Sequence, residues 1–394
     1  MIYLHVPFCG SFCTYCDFYS EICRSRQASN EYADAVIAEI RDRRKELEMN
    51  MSAQDAVNTL YIGGGTPSVL PLDVLSRIVG AVSQTERLSL VTEQLSLVTE
   101  PVEVTTPTEL FDEFTVEVNP EDIVEKGREY VRGLLALGVN RISMGIQSFN
   151  DDILRWMNRC HDAGNAVKAF HILRESGVRN ISIDLIFGIS QLTDETWKDT
   201  IEKALELSPE HISAYQLSIE EGSALAKMVA DGRYVEASEE QCRRQYDILC
   251  RCLGRSGYHH YEISNFAKPG FEAVHNSAYW RRTPYIGLGP GAHSLTGNVR
   301  SWNSQELPHR SPDGSSATYS RTSETLSPED IRVERIMLSL RTDKGLKATE
   351  LYSLTDSTVV DALLSEGALE RQGASIRIPE DHLFTSDEII RELI

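Results

Sequence analysis

Three cysteines lie within eight residues near the start of the chain, in the segment Cys9-Gly-Ser-Phe-Cys13-Thr-Tyr-Cys16. Thiolates at this spacing in one loop can converge on an iron–sulfur cube or on a zinc ion. Because no obvious fourth ligand lies nearby, one iron of a four-iron cluster would lack a protein ligand and could bind a small molecule. On spacing alone, a structural zinc site and three unliganded thiols remain alternatives.

A glycine-rich segment, Gly63-Gly64-Gly65-Thr66-Pro67, follows the second apolar run of the chain. Glycines allow a backbone to approach a ligand closely, and proline stops the preceding strand from continuing. By itself this is a weak signal, because a glycine-rich turn is often only a turn.

Polar residues mark the ends of all six apolar runs. They are Cys9, the glycines 63–65, Glu117 with Asn119, Gln147, Asp184, and Tyr215 with Gln216. In parallel barrels the active site is built at the carboxyl ends of the strands. A single such residue, Asp184 for instance, is as consistent with a hydrogen-bonded core group, but the six together predict one shared site.

The six runs are short, apolar and β-branched, and they alternate with helical patterns over the first 220 residues. The runs are Ile2–Phe8, Thr59–Ile62, Phe114–Val118, Arg141–Ile146, Ile181–Phe187 and His211–Leu217. Helices are predicted by apolar residues three or four apart: Tyr32, Val36 and Ile40; Val74, Ile78 and Val82; Val131 and Leu135; Val167 and Phe170; Trp197, Ile201 and Leu205. The alternation predicts an α/β fold with parallel strands and right-handed crossovers. It fades after Leu217, so we do not expect a closed eight-stranded barrel.

The rest of the chain divides by composition. Residues 84–108 contain the repeat LSLVTE at Leu88–Glu93 and Leu95–Glu100, and we interpret them as a surface insertion in the first domain, residues 1–220. Residues 221–303 contain a helical segment and a stretch rich in Gly, His, Tyr and Trp. Residues 304–328 are rich in Ser, Thr and Pro and are typical of a linker. Residues 329–394 mix short helices with the strand-like Ser375–Ile378, which predicts a small α+β domain.

The composition excludes several classes of protein. With 39 basic and 59 acidic residues, the 394-residue chain has a net charge of −20, which argues against a nucleic-acid or anionic-membrane partner. No apolar run approaches the roughly 18 residues of a membrane span, and the first residues lack the basic start of a signal peptide. We therefore expect a cytoplasmic protein, in which the 8 cysteines form no disulfide framework.

The cysteine segment, with Tyr15 before the third cysteine, resembles the radical SAM superfamily. Several flanking motifs resemble the coproporphyrinogen-oxidase-like branch of that superfamily: Tyr3–Cys9, Gly63–Pro67, Glu117–Pro120, Ser143–Phe149, Asn158–His161, Asp184–Gly188 and Tyr261–Phe266. The resemblance is dense over residues 1–303 and looser at Glu334–Arg341. It implies a partial (β/α)6 barrel of TIM type with a small α+β domain at the C-terminus.

The resemblance also implies cofactors. Cys9, Cys13 and Cys16 would hold a [4Fe–4S] cluster whose open iron chelates the amino and carboxylate groups of S-adenosylmethionine (SAM). The positions that match the SAM region of the related oxidase are Tyr3, Tyr15, Gly64, Gly65, Thr66, Glu117, Gln147, Arg159 and Asp184. The related oxidase holds two SAM molecules, so it stays open whether all nine residues match one SAM site or some of them match a second site that this chain lacks.

Two departures from the oxidase resemble the heme-chaperone subfamily instead. Phe18 stands where the oxidase has a fourth cysteine, and the chain starts only two residues before Tyr3. A His-Asn-x-x-Tyr-Trp motif of the subfamily is present as His275, Asn276, Tyr279 and Trp280. This motif implies heme binding, with His275 as an axial ligand and the aromatic rings against the macrocycle. A turn with a buried His275 is the alternative, and His293 is a second candidate ligand.

The resemblance therefore implies a heme chaperone that passes heme to an acceptor apoprotein, and it assigns no catalytic acid or base. A one-electron donor would be needed if SAM is cleaved. An oxygen-independent coproporphyrinogen III oxidase is the enzymatic alternative, because it shares the cluster and SAM residues. A radical SAM enzyme with another substrate is a third possibility.

Overall fold

The protein is described by a computed structural model that covers residues 1–23, 25–51, 56–94, 111–306 and 318–394, with residues 85–94 described by their backbone alone. The strands are β1 Ile2–Val6, β2 Phe8–Cys9, β3 Glu21–Ile22, β4 Thr59–Gly64, β5 Glu113–Val118, β6 Arg141–Gln147, β7 Asn180–Phe187, β8 His211–Gln216, β9 His259–Glu262, β10 Asn265–Ala267, β11 Ile286–Leu288, β12 His293–Thr296, β13 Val299–Asn303, β14 Arg321–Thr325, β15 Leu346–Lys347, β16 Glu370–Gln372 and β17 Ser375–Arg377.

The helices are α1 Arg26–Asp42, α2 Arg44–Met51, α3 Leu72–Gln94, α4 Pro120–Ala136, α5 Asp151–Trp156, α6 Ala163–Glu175, α7 Asp194–Leu207, α8 Ala224–Ala230, α9 Glu239–Arg255, α10 Val274–Trp280, α11 Pro328–Leu340, α12 Ala348–Leu354, α13 Ser357–Glu366 and α14 Ser386–Leu393. Short 3-10 turns lie at Pro67–Val69 and Glu380–Thr385.

A nine-stranded sheet organises the fold, in the order β11-β1-β4-β5-β6-β7-β8-β10-β9. The six strands from β1 to β8 that correspond to the predicted runs pair in parallel, with Ile2 beside Leu60 and Thr115 beside Arg141. Among the described residues the end strands β11 and β9 do not pair with each other, so the barrel is open. The prediction of an α/β fold with an incomplete barrel is confirmed.

The strands and helices form where the sequence pattern predicts because each buries its apolar side. Ile2, Leu4 and Val6 on one face of β1 are almost fully buried, and His5 on the other face is buried too, so the strand is covered on both sides. On α1, Tyr32, Val36 and Ile40 lie one turn apart and are inaccessible, and Ser25 caps the helix by accepting a hydrogen bond from the Ala28 amide.

Two regions differ from the expectations. Helix α3 continues to Gln94, so the start of the predicted 84–108 insertion is helical, while 95–108 lies outside the described residues. In the predicted linker 304–328, Arg321–Thr325 forms strand β14, which pairs antiparallel with β13. Serine and threonine are as compatible with an edge strand as with a linker, and composition alone does not reveal the pairing partner.

The C-terminal segment combines helices α11–α14 with a three-stranded antiparallel sheet in the order β15-β17-β16. This agrees with the predicted α+β character. Across the described parts of the chain, we find no helix both long and apolar enough to span a bilayer.

Candidate functional site

A cavity of about 560 Å³ lies over the ends of the parallel strands and gathers most of the predicted site residues. All three cysteines line it, together with residues from β4 to β8. The predicted SAM residues in its wall are Tyr15, Gly64, Gly65, Thr66, Glu117, Gln147, Arg159 and Asp184. Tyr3 is not among the lining residues, but its ring lies 6.1 Å from that of Tyr61, which is.

Two of the three thiols meet side-chain hydrogen-bond donors from elsewhere in the chain. The Thr66 hydroxyl donates to Sγ of Cys9 at 3.6 Å, and Nη1 of Arg159 donates to Sγ of Cys13 at 3.3 Å. Burial raises the pKa of Cys9, and it raises the pKa of Cys16 to about 11. Without a bound cation, Cys9 and Cys16 therefore stay protonated at neutral pH. Binding to a metal would require the loss of these protons.

A chain of hydrogen bonds links the donors of Cys9 and Cys13. Nη2 of Arg159 donates to Oδ1 of Asn119 at 2.6 Å, and Nδ2 of Asn119 donates to Oγ1 of Thr66 at 3.1 Å. Arg159 Nη2 also donates to the Gly145 carbonyl at 2.8 Å. Asn119 thus couples the positions of the groups that contact two of the three thiols.

The glycine-rich segment approaches the cysteine loop so closely that side chains would not fit. A Cβ on Gly65 would lie 2.6 Å from the Phe8 carbonyl oxygen, and one on Gly64, whose φ is +106°, would lie 2.5 Å from Nδ1 of His5. The amides of Gly65 and Thr66 donate to the carbonyls of Val6 and Phe8. The glycines therefore set how closely β4 approaches the cysteine loop.

Two carboxylates face the same cavity. Glu117 accepts hydrogen bonds from the Tyr61 hydroxyl at 2.7 Å and from the Gly64 amide at 3.1 Å. Burial raises the pKa of Glu117 to about 7, and the nearby charge of Asp184 acts in the same direction. Asp184 accepts from the Ser143 hydroxyl at 3.3 Å, and burial raises its pKa as well. A ligand that donates hydroxyl hydrogen bonds would favour the ionised forms.

Strand β6 shows a signal that our sequence analysis did not use. Four alternate residues, Arg141, Ser143, Gly145 and Gln147, all line the cavity. Arg141 is only 1% exposed, and its Nε has no hydrogen-bond partner in the described part of the chain. A polar residue or a glycine at every second position of an otherwise apolar strand would have identified this inward face. Tyr61 and Ser213 line the cavity too and were also missed.

The predicted heme residues are divided between the cavity and the interior. Asn276 lines the cavity, whereas His275 is 1% exposed and Tyr279 and Trp280 are half-buried. Nδ1 of His275 lies 2.7 Å from the Thr59 hydroxyl, and Nε2 lies 3.1 Å from the Tyr279 hydroxyl. In this conformation neither ring nitrogen is open to an iron.

Two comparisons with known proteins bear on this site. The model of the radical SAM superfamily matches residues 3–204. The heme chaperone HemW of Lactococcus lactis is 33% identical over 345 residues, which cover 87% of this chain and 82% of that protein. The heme chaperone HemW of Mycobacterium tuberculosis is 30% identical over 402 residues, which cover 100% and 94%.

The chain belongs to the HemW family of radical SAM proteins.

A solved structure agrees with the fold of this HemW-family chain. The radical SAM enzyme coproporphyrinogen III oxidase (HemN) from Escherichia coli superimposes with a TM-score of 0.75, covering 99% of this chain and 89% of that one, at 22% sequence identity. At this identity the likeness concerns the fold.

The radical SAM family implies a [4Fe–4S] cluster and SAM, and the residues of the cavity fit both groups. The three thiols come from one loop beside a positive guanidinium, which suits a cluster bound through thiolates. Nε of Arg159 is buried without a hydrogen-bond partner among the described residues, and Glu117 and Asp184 supply acceptors. A small zwitterionic ligand would therefore find a positive charge for its carboxylate at Arg159, and acceptors for its amino and hydroxyl groups at Glu117 and Asp184.

Proposed function

We propose that this protein binds heme and transfers it to an acceptor apoprotein in the cytoplasm, on a scaffold that holds a [4Fe–4S] cluster and exchangeable SAM. One observation carries the proposal: the cavity combines three cysteines from one loop with three exposed aromatic rings, Phe12, Phe18 and Tyr215. The names of the curated HemW relatives supply the ligand, which is heme.

Cys9, Cys13 and Cys16 would hold the cluster, which supplies an open iron for the amino and carboxylate groups of SAM. The SAM-binding set proposed here is Tyr3, Tyr15, Gly64, Gly65, Thr66, Glu117, Gln147, Arg159 and Asp184. Within it, Arg159 orients the Cys13 sulfur and offers a positive charge, while Glu117 and Asp184 accept hydrogen bonds. Cleavage of SAM would require a one-electron donor, but heme transfer itself assigns no acid or base to the chain.

The aromatic rings give the porphyrin a surface on which to stack. Phe12 is 53% exposed and Phe18 is 64% exposed, although both lie in or beside the loop that carries the cysteines. A single exposed apolar residue is ordinary on a protein surface, but here three exposed aromatic rings line one cavity. Flat aromatic contact with a macrocycle would bury these rings.

For the axial ligand we propose His275, with Asn276, Tyr279 and Trp280 beside the macrocycle. Burial lowers the pKa of His275 to about 3, so the ring is neutral, as a ligand to iron must be. Coordination requires that the contact with Thr59 or with Tyr279 breaks. His293 is exposed, its ring stacks on Trp302 at 5.7 Å, and it is the alternative ligand.

The test is an anaerobic titration of the cluster-reconstituted chain with hemin, followed by mixing with an apo-cytochrome and separation of the two proteins. We expect saturable heme binding with a Soret band, and transfer of that heme to the acceptor. His275→Ala would change the Soret position and weaken binding if His275 is the ligand. His293→Ala tests the alternative, since the same loss in that variant would assign the iron to His293. An unchanged titration in His275→Ala overturns the ligand assignment.

The same preparation decides between chaperone and oxidase. Cluster-loaded protein receives SAM, a reductant and coproporphyrinogen III, and the products are separated by chromatography. We expect no conversion of propionate groups to vinyl groups. Their conversion at a rate matching that of a true oxidase would overturn the proposed function.

A further inference from the structure

A second group of metal-binding side chains lies outside the cavity. It consists of Cys250 on α9, His260 on β9 and Glu380 at the start of the 3-10 turn near the C-terminus. One ligand atom from each residue lies within 4.8 Å of the others. Glu380 lies 120 positions after His260 in the sequence, so the three residues meet only through the fold.

The contacts of His260 determine which ring nitrogen faces the group. Its Nε2 lies 3.3 Å from the Tyr246 hydroxyl and 3.4 Å from the Ile263 carbonyl. The Tyr246 hydroxyl already donates to that carbonyl at 2.9 Å, so Nε2 faces two acceptors and carries a hydrogen. In the neutral ring, Nδ1 is then the atom with the free lone pair.

This lone pair faces other electron-rich atoms. Nδ1 of His260 lies 3.2 Å from Oε1 of Glu380 and 4.0 Å from Sγ of Cys250. Two acceptors at 3.2 Å repel each other unless a cation lies between them. That cation is either a proton, which gives an imidazolium–carboxylate ion pair, or a metal ion.

The geometry distinguishes a metal site from a catalytic triad. In a Cys-His-acid triad, the thiol and the carboxylate contact opposite nitrogens of the ring. Here both approach Nδ1, while Nε2 is held by a backbone carbonyl. A histidine that binds a metal with one nitrogen and donates from the other to a carbonyl is the usual arrangement at zinc sites.

We propose that Cys250, His260 and Glu380 bind a Zn²⁺ ion, with water in the fourth position. Tetrahedral zinc with one sulfur and two lighter ligands places the ligand atoms about 3.3–3.6 Å apart. The nitrogen–oxygen distance of 3.2 Å lies just below this range, and the sulfur–nitrogen distance of 4.0 Å needs to shorten by a few tenths of an ångström. The mix of thiolate, imidazole and carboxylate suits zinc.

The surroundings hold the three ligands in place and leave one side open. The His260 ring stacks on the Phe266 ring, with their centroids 4.1 Å apart. Tyr246, which precedes Cys250 by one turn of α9, packs against Phe384 with a distance of 5.5 Å between the ring centroids. The Glu380 side chain is 60% exposed, which leaves access for water and for the ion. Zinc would join the turn at Glu380–Thr385 to α9 and β9.

The test measures zinc in the cluster-loaded full chain by native mass spectrometry and by zinc K-edge X-ray absorption. We expect one Zn²⁺ per chain with one sulfur neighbour, whereas zinc in the cluster loop would show about three. Cys250→Ser should abolish stoichiometric binding, and Glu380→Gln should weaken it at least about tenfold. Cys252→Ser, on the same helix but outside the group, should bind as wild type.

Glu380→Gln changes an exposed side chain, so it keeps the test valid even where Cys250→Ser fails to fold. Absence of stoichiometric zinc in the wild type, a three-sulfur spectrum, or unchanged affinity in Glu380→Gln would each overturn the proposal. Iron content and hemin binding are measured on the same samples, so failure of the zinc site is separable from failure of the proposed heme function.

Discussion

The guanidinium of Arg159, in the loop after α5, donates a hydrogen bond from Nη1 to Sγ of Cys13 at 3.3 Å. The two residues are 146 positions apart, yet the same guanidinium also fixes Asn119 and the Gly145 carbonyl. A positive charge beside a cluster thiolate stabilises extra electron density on the sulfur.

Arg159→Ala should therefore lower the reduction potential of the cluster and weaken SAM binding by about tenfold or more, since a charge-assisted hydrogen bond is worth about 1.5–3 kcal/mol. Redox titration followed by electron paramagnetic resonance and anaerobic calorimetry measure the two effects. Arg155→Ala is the control, because that side chain is 72% exposed on α5. Wild-type potential and SAM affinity in a cluster-loaded Arg159→Ala protein would contradict the assigned role.

The raised pKa of Glu117 predicts a pH dependence of stability. Its pKa is about 7 in the folded chain against an ordinary 4.5, so protonation favours the fold. The stabilisation that protonated Glu117 gives to the folded state is complete below about pH 4.5 and is lost as the pH rises through about 7. For SAM-free protein, the free energy of unfolding should fall by up to about 3 kcal/mol between pH 5 and pH 8.

Glu117→Gln should reduce the slope of the unfolding free energy against pH. Part of the slope will remain, because the pKa of Asp184 is raised too. Urea unfolding at several pH values provides the measurement. Glu195→Gln on the exposed face of α7 is the control and should leave the slope unchanged. Equal slopes in wild type and Glu117→Gln would show that Glu117 does not titrate in this range.

The close approach of Gly65 to the Phe8 carbonyl makes this position intolerant of a side chain. Gly65→Ala would place a Cβ 2.6 Å from that oxygen, so β4 and the cysteine loop must separate. We expect a destabilisation of about 1–3 kcal/mol and a loss of iron after reconstitution. Gly10→Ala in the cysteine loop is the matched control, since nothing lies within 4 Å of its Cβ. Full iron content in Gly65→Ala would refute the argument.

The exposed rings of Phe12 and Phe18 predict a specific loss of heme affinity. Removing either ring should weaken hemin binding by about tenfold, equivalent to about 1.4 kcal/mol, without changing iron content. Hemin titration of Phe12→Ala and Phe18→Ala measures this. Val235→Ala removes a residue that is 76% exposed and outside the cavity lining, and it should bind hemin normally. Equal affinities in all four proteins would exclude stacking at this face.

The six parallel strands and the main helices were predictable because their signals are local. Ile2, Leu4 and Val6 recur at every second position, and Tyr32, Val36 and Ile40 repeat at helical spacing, so each pattern indicates its own structure. Strand β14 was not predictable in this way, because Arg321–Thr325 is exposed and is defined by its pairing with β13.

Part of the cavity was missed for a related reason. Arg141 could have been identified from the alternation along its own strand, whereas the short strand that carries Tyr61 shows no such alternation, and its inward face depends on the pairing with β1 and β5. For His275, too, the local motif does not reveal the surroundings of the side chain. Its motif indicated an iron ligand, while the fold places it between Thr59 and Tyr279 in the interior.

The cysteine loop was predictable from local spacing, since Cys9, Cys13 and Cys16 lie within eight residues, and the fold places all three in the wall of one cavity. The sequence by itself also determined the alternation of strands and helices, which depends on local periodicity. Which distant groups meet follows from the fold: Arg159 lies beside Cys13, and Cys250 lies beside His260 and Glu380. Such contacts depend on strand register and on packing between elements far apart in sequence, and no local spacing encodes them.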